Sequence, residues 1–208
     1  MTSYDERGSR TAREASVEQV VLLDEAGQAI GSEDKRVAHR TDTRLHLAFS
    51  CYVFNSDREL LVTRRALSKA TFPGMWTNTV CGHPAPLEDF LDAVRRRSRE
   101  ELGVALQEVR VVLPRFRYRA VMTNGTTENE MCPVAAALTY DQPLVDPAEV
   151  AATTWVPWVE FRDGVVDGSR DVSPWCLAQV QQLASLGDDP LAWAATPSST
   201  LPPAAQPA

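Results

Sequence analysis

Apolar residues cluster in short runs along most of this chain, and the runs predict mainly strands. Val17 to Leu23 is the first, and Leu45 to Phe54 is the second. The turn-forming stretch Asn55-Ser-Asp-Arg follows, with a return strand from Glu59 to Arg64. Val109 to Val112 is a short run, and Arg115 to Met122 alternates arginine with aromatic or aliphatic residues. Asn124-Gly125 is a strong turn signal leading into a strand from Glu128 to Thr139, and Thr153 to Trp158 is the last run. Two segments follow helical spacing instead. Glu88 to Leu102 ends at Gly103, a residue suited to a helix C-cap. The other opens on Ser173-Pro174, an N-cap followed by proline at the first helical position, and continues with Leu177, Val180, Leu183 and Leu186. Many strands with few helices predict an α/β layered domain.

The ends read differently. Residues 1–15 are polar and charged, and residues 188–208 are rich in Ala, Pro and Ser, so both are expected to be disordered around a folded unit of 16–187. A net charge of −7 argues against a nucleic-acid partner. The first twenty residues hold no apolar run of the signal-peptide kind. No stretch approaches the roughly 20 apolar residues that span a bilayer. Cysteines 51, 81, 132 and 176 lie far apart and are expected to be reduced. A cytoplasmic monomer with neither membrane nor nucleic-acid partner is the expectation.

Candidate chemistry gathers around the only three histidines, His39, His46 and His83. Glu128 and Glu130 stand two apart in a predicted strand, so their carboxylates share a face. Two like charges that close call for a balancing cation. Three imidazoles and two carboxylates would suit Zn²⁺, Mn²⁺ or Mg²⁺. A solvated Glu-x-Glu face and unrelated histidines are the plainer alternative.

Gly82, Glu88, Arg96, Glu100, Glu101, Gly103 and Val104 fall at the spacing of the Nudix signature, which the segment resembles. In that signature, helix carboxylates hold Mg²⁺ against a diphosphate. Arg97 stands where the hydrolase pattern has a glutamate, and Ser98 replaces an apolar residue. A cation in place of a ligand favours gripping a diphosphate over cleaving it.

A wider resemblance is carried by Arg44-Leu-His-Leu-Ala-Phe-Ser50, Leu61-Val-Thr-Arg-Arg-Ala-Leu-Ser-Lys69, Trp76-Thr-Asn-Thr-Val-Cys-Gly-His-Pro84 and Glu128-Asn-Glu-Met-Cys-Pro133. Over about residues 17–187 the chain resembles the type I isopentenyl-diphosphate isomerase family. The resemblance implies a Nudix-like α/β fold with mixed sheets packed between helices. It implies that His39, His46, His83, Glu128 and Glu130 ligate one divalent metal, Mn, Zn or Mg. A second ion, Mg²⁺, would arrive with the substrate on Glu101 and the backbone carbonyl of Cys81. Cys81 and Glu130 would be the acid and base, helped by Tyr118 and Trp175. Lys35, Arg65, Lys69 and Arg97 would bind the diphosphate. The implied reaction turns isopentenyl diphosphate into dimethylallyl diphosphate through a tertiary carbocation. A Nudix hydrolase of a diphosphate compound is the alternative, and a non-catalytic module on the same fold is another.

The implied partnership of Tyr118 with Glu130 constrains the hairpin at Asn124-Gly125. A two-residue loop would pair Tyr118 with Met131 and put Tyr118 on the wrong face. An odd-length loop or a bulge is therefore expected, with Ala120 paired to Glu130.

Overall fold

The computed structural model describes residues 18–207. The chain forms, in order, β1 (Gln19–Leu23), β2 (Ala29–Asp34), α1 (Lys35–Ala38), β3 (His46–Leu47), β4 (Phe49–Phe54), β5 (Glu59–Arg65), β6 (Trp76–Thr77) and β7 (Val80–Gly82). It continues through α2 (Phe90–Leu102), β8 (Gln107–Leu113), β9 (Arg117–Val121), β10 (Thr127–Met131), β11 (Val134–Leu138), β12 (Val150–Pro157), α3 (Trp158–Val166) and α4 (Pro174–Leu183).

Two sheets result. One runs β2-β1-β3-β10-β9; the other runs β12-β5-β4-β11-β8, with β6 joined to β5 and β7 to β4. Two neighbouring parallel chains step from the first sheet into the second at one level. β3 passes through Ala48 into β4, while β10 passes through Cys132-Pro133 into β11. The crossing is tied by Ala48 N–H to the Met131 carbonyl at 2.9 Å and Ser50 N–H to the Pro133 carbonyl at 3.2 Å.

The second sheet is buried on both faces, which is why β4 and β11 are buried at every position and, apart from Ser50, apolar rather than alternating. Phe49, Cys51 and Val53 of β4 face α2 through Phe90, Val94 and Leu102. Tyr52 and Phe54 face α3 and α4 through Trp158, Phe161, Trp175, Val180 and Leu183. Mixed sheets packed between helices are what the sequence led us to expect.

Both predicted helices form. α2 is capped by the Asp89 carboxylate, which accepts from Leu91 and Asp92 N–H, and it ends at Gly103 with φ +66°. A Cβ there would lie 3.0 Å from the Leu144 carbonyl, so glycine is required twice over. α4 opens on Ser173, whose hydroxyl accepts from Cys176 N–H.

Two expectations are corrected. The 188–208 tail is not a disordered appendage: among the described residues it winds through short 3₁₀ turns and buries Trp193, Leu201 and Ala205. Thr196 N–H bonds to the Val111 carbonyl and Ala204 N–H to the Gly27 carbonyl. A few well-placed apolar side chains over a groove outweigh the polar composition. The N-terminal residues 1–15 lie outside the described residues.

The second correction concerns register. The hairpin loop is odd, as expected, but it comprises Thr123 to Gly125: Met122 pairs with Thr126, and Gly125 closes the loop with φ +86°. A left-handed glycine belongs at the last position of a three-residue loop, which fixes this phase. Glu130 therefore faces Tyr118 directly and Ala120 faces Glu128. Tyr118 and Glu130 share a face, one pairing step closer than expected.

Candidate active site

The crossing between the sheets positions the polar residues. β3 presents His46, its parallel neighbour β10 presents Glu130 directly across, and β9 adds Tyr118. His39 follows α1, and His83 follows β7, which carries Cys81. Trp175 enters from the first turn of α4. These elements enclose a cavity of about 400 Å³. Of the residues expected to form a site, Lys35, His39, Arg65, Lys69, Cys81, His83, Arg97, Tyr118, Glu128, Glu130 and Trp175 all line it. His46 is fully buried behind it, and Glu101 borders a smaller adjoining cavity together with Cys81.

Three imidazoles converge on one oxygen. Glu130 Oε1 lies 3.1 Å from His83 Nε2, 3.3 Å from His46 Nε2 and 3.6 Å from His39 Nε2. One donor atom from each of these four residues fits within 4.8 Å of the others. The Nδ1 of His46 is 2.9 Å from the Arg44 carbonyl, which can only accept, so Nδ1 carries the proton. Burial opposes charge on this ring but Glu130 raises its pKa, so Nε2 can donate to the carboxylate as it stands and would offer its lone pair to a bound cation. Burial lowers the pKa of His83 to about 4, so that ring also offers a lone pair at neutral pH. Burial works against charge on Glu130, but the three imidazoles hold its carboxyl well below the usual range. A His₃Glu site compatible with a divalent metal is present.

Glu128, the fifth residue of the expected shell, is tied to the four-residue cluster through Tyr118. Its Oε2 and that of Glu130 each lie 2.8 Å from the Tyr118 hydroxyl. A phenol has one proton and can bond only one ionised carboxylate. A proton or a cation on Glu128 must complete the other contact. Burial and the Glu130 charge push the Glu128 carboxyl up accordingly.

Cys81 sits 3.3 Å from Asn78 Oδ1 and 3.4 Å from the Ser50 hydroxyl. Burial raises its thiol to about 11, so it is protonated at neutral pH. Trp175 is 2% exposed, with its ring 5.7 Å from that of Tyr118 and the Arg65 guanidinium 5.4 Å over it. Cys51, Cys132 and Cys176 are free thiols in the core, as expected.

The expected diphosphate cations are at the cavity, but they are not bare. Lys35 pairs with Glu18 at 2.6 Å and Lys69 pairs with Glu149. Arg97 contacts Glu101 at 2.5 Å, Glu100 at 3.1 Å, Glu149 at 3.3 Å and Glu18 at 3.5 Å. Arg65 Nη2 donates to the Thr71 carbonyl at 2.8 Å. The counter-ions Glu18 and Glu149 escaped the sequence reading because nothing in their neighbourhood along the chain marks them. Asn78 escaped it too, although it lies inside the Thr-Asn-Thr-Val-Cys-Gly-His-Pro run that drew attention to Cys81.

Comparison with known proteins agrees with this geometry. Residues 44–176 match the NUDIX domain family. The chain is 55% identical to isopentenyl-diphosphate Delta-isomerase of Saccharopolyspora erythraea, covering 91% of this chain and 97% of that protein. It is 49% identical to the protein of the same name from Rhizobium rhizogenes, covering 92% of each. The one from Mycolicibacterium vanbaalenii is 52% identical over 83% of this chain and 94% of its own length. Among solved structures, a Deinococcus radiodurans protein superposes with a TM-score of 0.62 at 20% identity, over 79% of this chain and 98% of its own. A MutT NUDIX hydrolase from Burkholderia pseudomallei gives a TM-score of 0.52 at 21% identity, over 67% and 98%. These two likenesses concern the fold alone.

Proposed function

The chain belongs to the isopentenyl-diphosphate Delta-isomerase family and holds a NUDIX domain, and from that premise we propose that it converts isopentenyl diphosphate into dimethylallyl diphosphate for isoprenoid biosynthesis. The observation that carries this reading is that a thiol and a carboxylate, Cys81 and Glu130, open on one cavity that also has an aromatic wall.

Moving an unactivated double bond needs a proton added at C4 and another removed from C2, with positive charge at tertiary C3 between the two events. Cys81 and Glu130 are the two groups that exchange those protons, one giving and one taking. Tyr118 orients the Glu130 carboxylate through its hydroxyl. The indole of Trp175 lies against the charge at C3; such contacts are worth about 2 kcal/mol when desolvated. Water has to be kept from that charge during turnover, because it would otherwise quench it. Lys35, Arg65, Lys69 and Arg97 take the diphosphate, exchanging their present carboxylate and carbonyl partners for phosphate oxygens.

His39, His46, His83 and Glu130, with Glu128 beside them, would hold a divalent cation, Zn, Mn or Mg. When bound, that ion supplies positive charge that balances the paired carboxylates. Glu101 and the Cys81 carbonyl would take Mg²⁺ delivered with the diphosphate, as both border one small cavity. The proposed unit is a cytoplasmic monomer acting on a small molecule, with no nucleic-acid or membrane partner. No helix among the described residues is long and apolar enough to cross a membrane.

The test is direct. Purified protein incubated with isopentenyl diphosphate, Mg²⁺ and Mn²⁺ should yield dimethylallyl diphosphate, and in D₂O the recovered diphosphates should gain deuterium at C2 and C4. Release of phosphate without isomer would instead mark a hydrolase.

A further inference from the structure

The groups invoked so far line the cavity or ligate beside it. Behind its wall sits a fully buried polar side chain with no role in that scheme, Asn78. Its Oδ1 accepts from the Trp175 indole N–H at 3.1 Å, the Thr77 hydroxyl at 2.9 Å and the Cys81 thiol at 3.3 Å. Its Nδ2 donates to the carbonyls of Cys51 at 3.2 Å and Val80 at 3.1 Å. The amide cannot be turned round: an indole nitrogen only donates and a carbonyl only accepts.

These bonds span two separate walls of the site. Through Nδ2, Asn78 staples β7, which carries Cys81, to β4. Through Oδ1 it reaches the start of α4, which carries Trp175. Thr77 extends the same link, because its hydroxyl is also 2.8 Å from that of Ser173, the α4 N-cap.

We infer that Asn78 is a positioning residue for the isomerisation: one carboxamide fixes the thiol of Cys81 and the indole of Trp175 at a set separation. The inference rests on the isomerase reading. In that reaction the carbon that becomes cationic adjoins both carbons that exchange protons. The aromatic wall and the proton-transfer group must therefore be placed against adjacent atoms at once. A displacement of about 1 Å at such a site costs on the order of 100-fold in rate. The requirement is also specific to asparagine. Aspartate would strip the donors from the Cys51 and Val80 carbonyls, and an apolar residue would leave those carbonyls, an indole and a hydroxyl unpaired in the core.

The experiment is a double-mutant cycle of Asn78→Ser with Trp175→Phe, which keeps an aromatic ring but lacks the indole N–H. Each variant is first checked for folding and bound metal. Asn78→Ser should lower kcat by roughly 10- to 100-fold while KM for isopentenyl diphosphate stays within about threefold. The double variant should be clearly less impaired than the product of the two single losses, because both changes break the same Asn78–Trp175 bond. A folded Asn78→Ser with wild-type kcat, or losses that multiply in the double variant, would overturn the proposal. If Asn78→Ser does not fold, Asn78→Asp takes its place in the cycle and is read by the same two outcomes. A wild-type protein that fails to isomerise would defeat the isomerase reading instead. The positional claim is then decided by hydrogen exchange at the Trp175 indole, assigned by its loss in Trp175→Phe. Faster exchange in a folded Asn78 variant than in wild type upholds the link, and equal exchange refutes it.

Discussion

Removing residues 189–208 should destabilise the protein severely while sparing its chemistry. The segment carries Trp193, 3% exposed, whose ring meets Trp158 edge-on at 5.0 Å and Phe54 at 5.6 Å. Its indole N–H donates to the Gly187 carbonyl at 3.1 Å. Arg110 adds bonds to the Trp193 and Pro190 carbonyls at 3.1 and 2.6 Å, and Leu201 is buried at the other end of the segment. Truncating a buried tryptophan to alanine costs about 3–5 kcal/mol. For a domain of this size each kcal/mol moves Tm by about 2–4 °C. Trp193→Ala alone should then lower Tm by about 6–20 °C, and the full deletion, which also loses Leu201, should lower it further. No described residue of the segment lines the main cavity, so kcat per folded molecule at low temperature should match wild type. Melting curves of the three proteins, with turnover measured well below each Tm, check both halves. A shift of under about 2 °C for the deletion would show that the packing contributes almost nothing.

Cys81→Ala should abolish turnover and leave bound metal unchanged by elemental analysis; near-normal activity would remove the thiol from the chemistry. His39→Ala, His46→Ala and His83→Ala should each lower metal content and activity together, and full occupancy in any one of them would take that residue out of the shell. Tyr118→Phe removes the one hydroxyl shared by Glu128 and Glu130, and kcat should fall by about 10- to 100-fold, as befits a lost bond to a charged group. Steady-state kinetics showing an unchanged kcat would refute that role.

What could be read in the sequence was what local rules govern. Caps announced both predicted helices: Gly103 ends α2 and Ser173-Pro174 opens α4. The constraint between Tyr118 and Glu130 demands an odd hairpin loop, and its phase is set by the left-handed conformation of Gly125 at the loop's last position. α3 was hidden. Its Trp158, Phe161 and Val165 recur at helical spacing and are its buried residues, but they follow the Thr153–Trp158 strand without a break and include a helix-weakening Gly164. The tail was misread because composition reports average burial, whereas Trp193 and Leu201 act singly in a groove built by distant strands. In the site, the three clustered histidines stood out by scarcity. Glu18 and Glu149 did not, because a counter-ion is defined by what folds next to it.

The two halves of the cavity answer different chemical demands, and Arg97 marks the division. In a helix that gathers carboxylates for Mg²⁺, a cation at this position would work against the metal. Here Arg97 lies one turn before Glu101 and pairs with it at 2.5 Å, so α2 offers less uncompensated negative charge than the hydrolase pattern does. Burial raises the Glu101 carboxyl while Arg97 opposes that rise. Glu130, His46 and Tyr118 lie instead on the other sheet, where His39 and His83 reach the same carboxylate oxygen from α1 and β7. A diphosphate gripped on the α2 side would leave its hydrocarbon end toward Cys81, Glu130 and Trp175. A NUDIX fold can carry different chemistries according to the side chains that line its cavity. On the proposed function, the residues that would separate isomerase from hydrolase are few: an arginine in the helix, a thiol on β7, and a tyrosine whose register brings its hydroxyl onto a carboxylate.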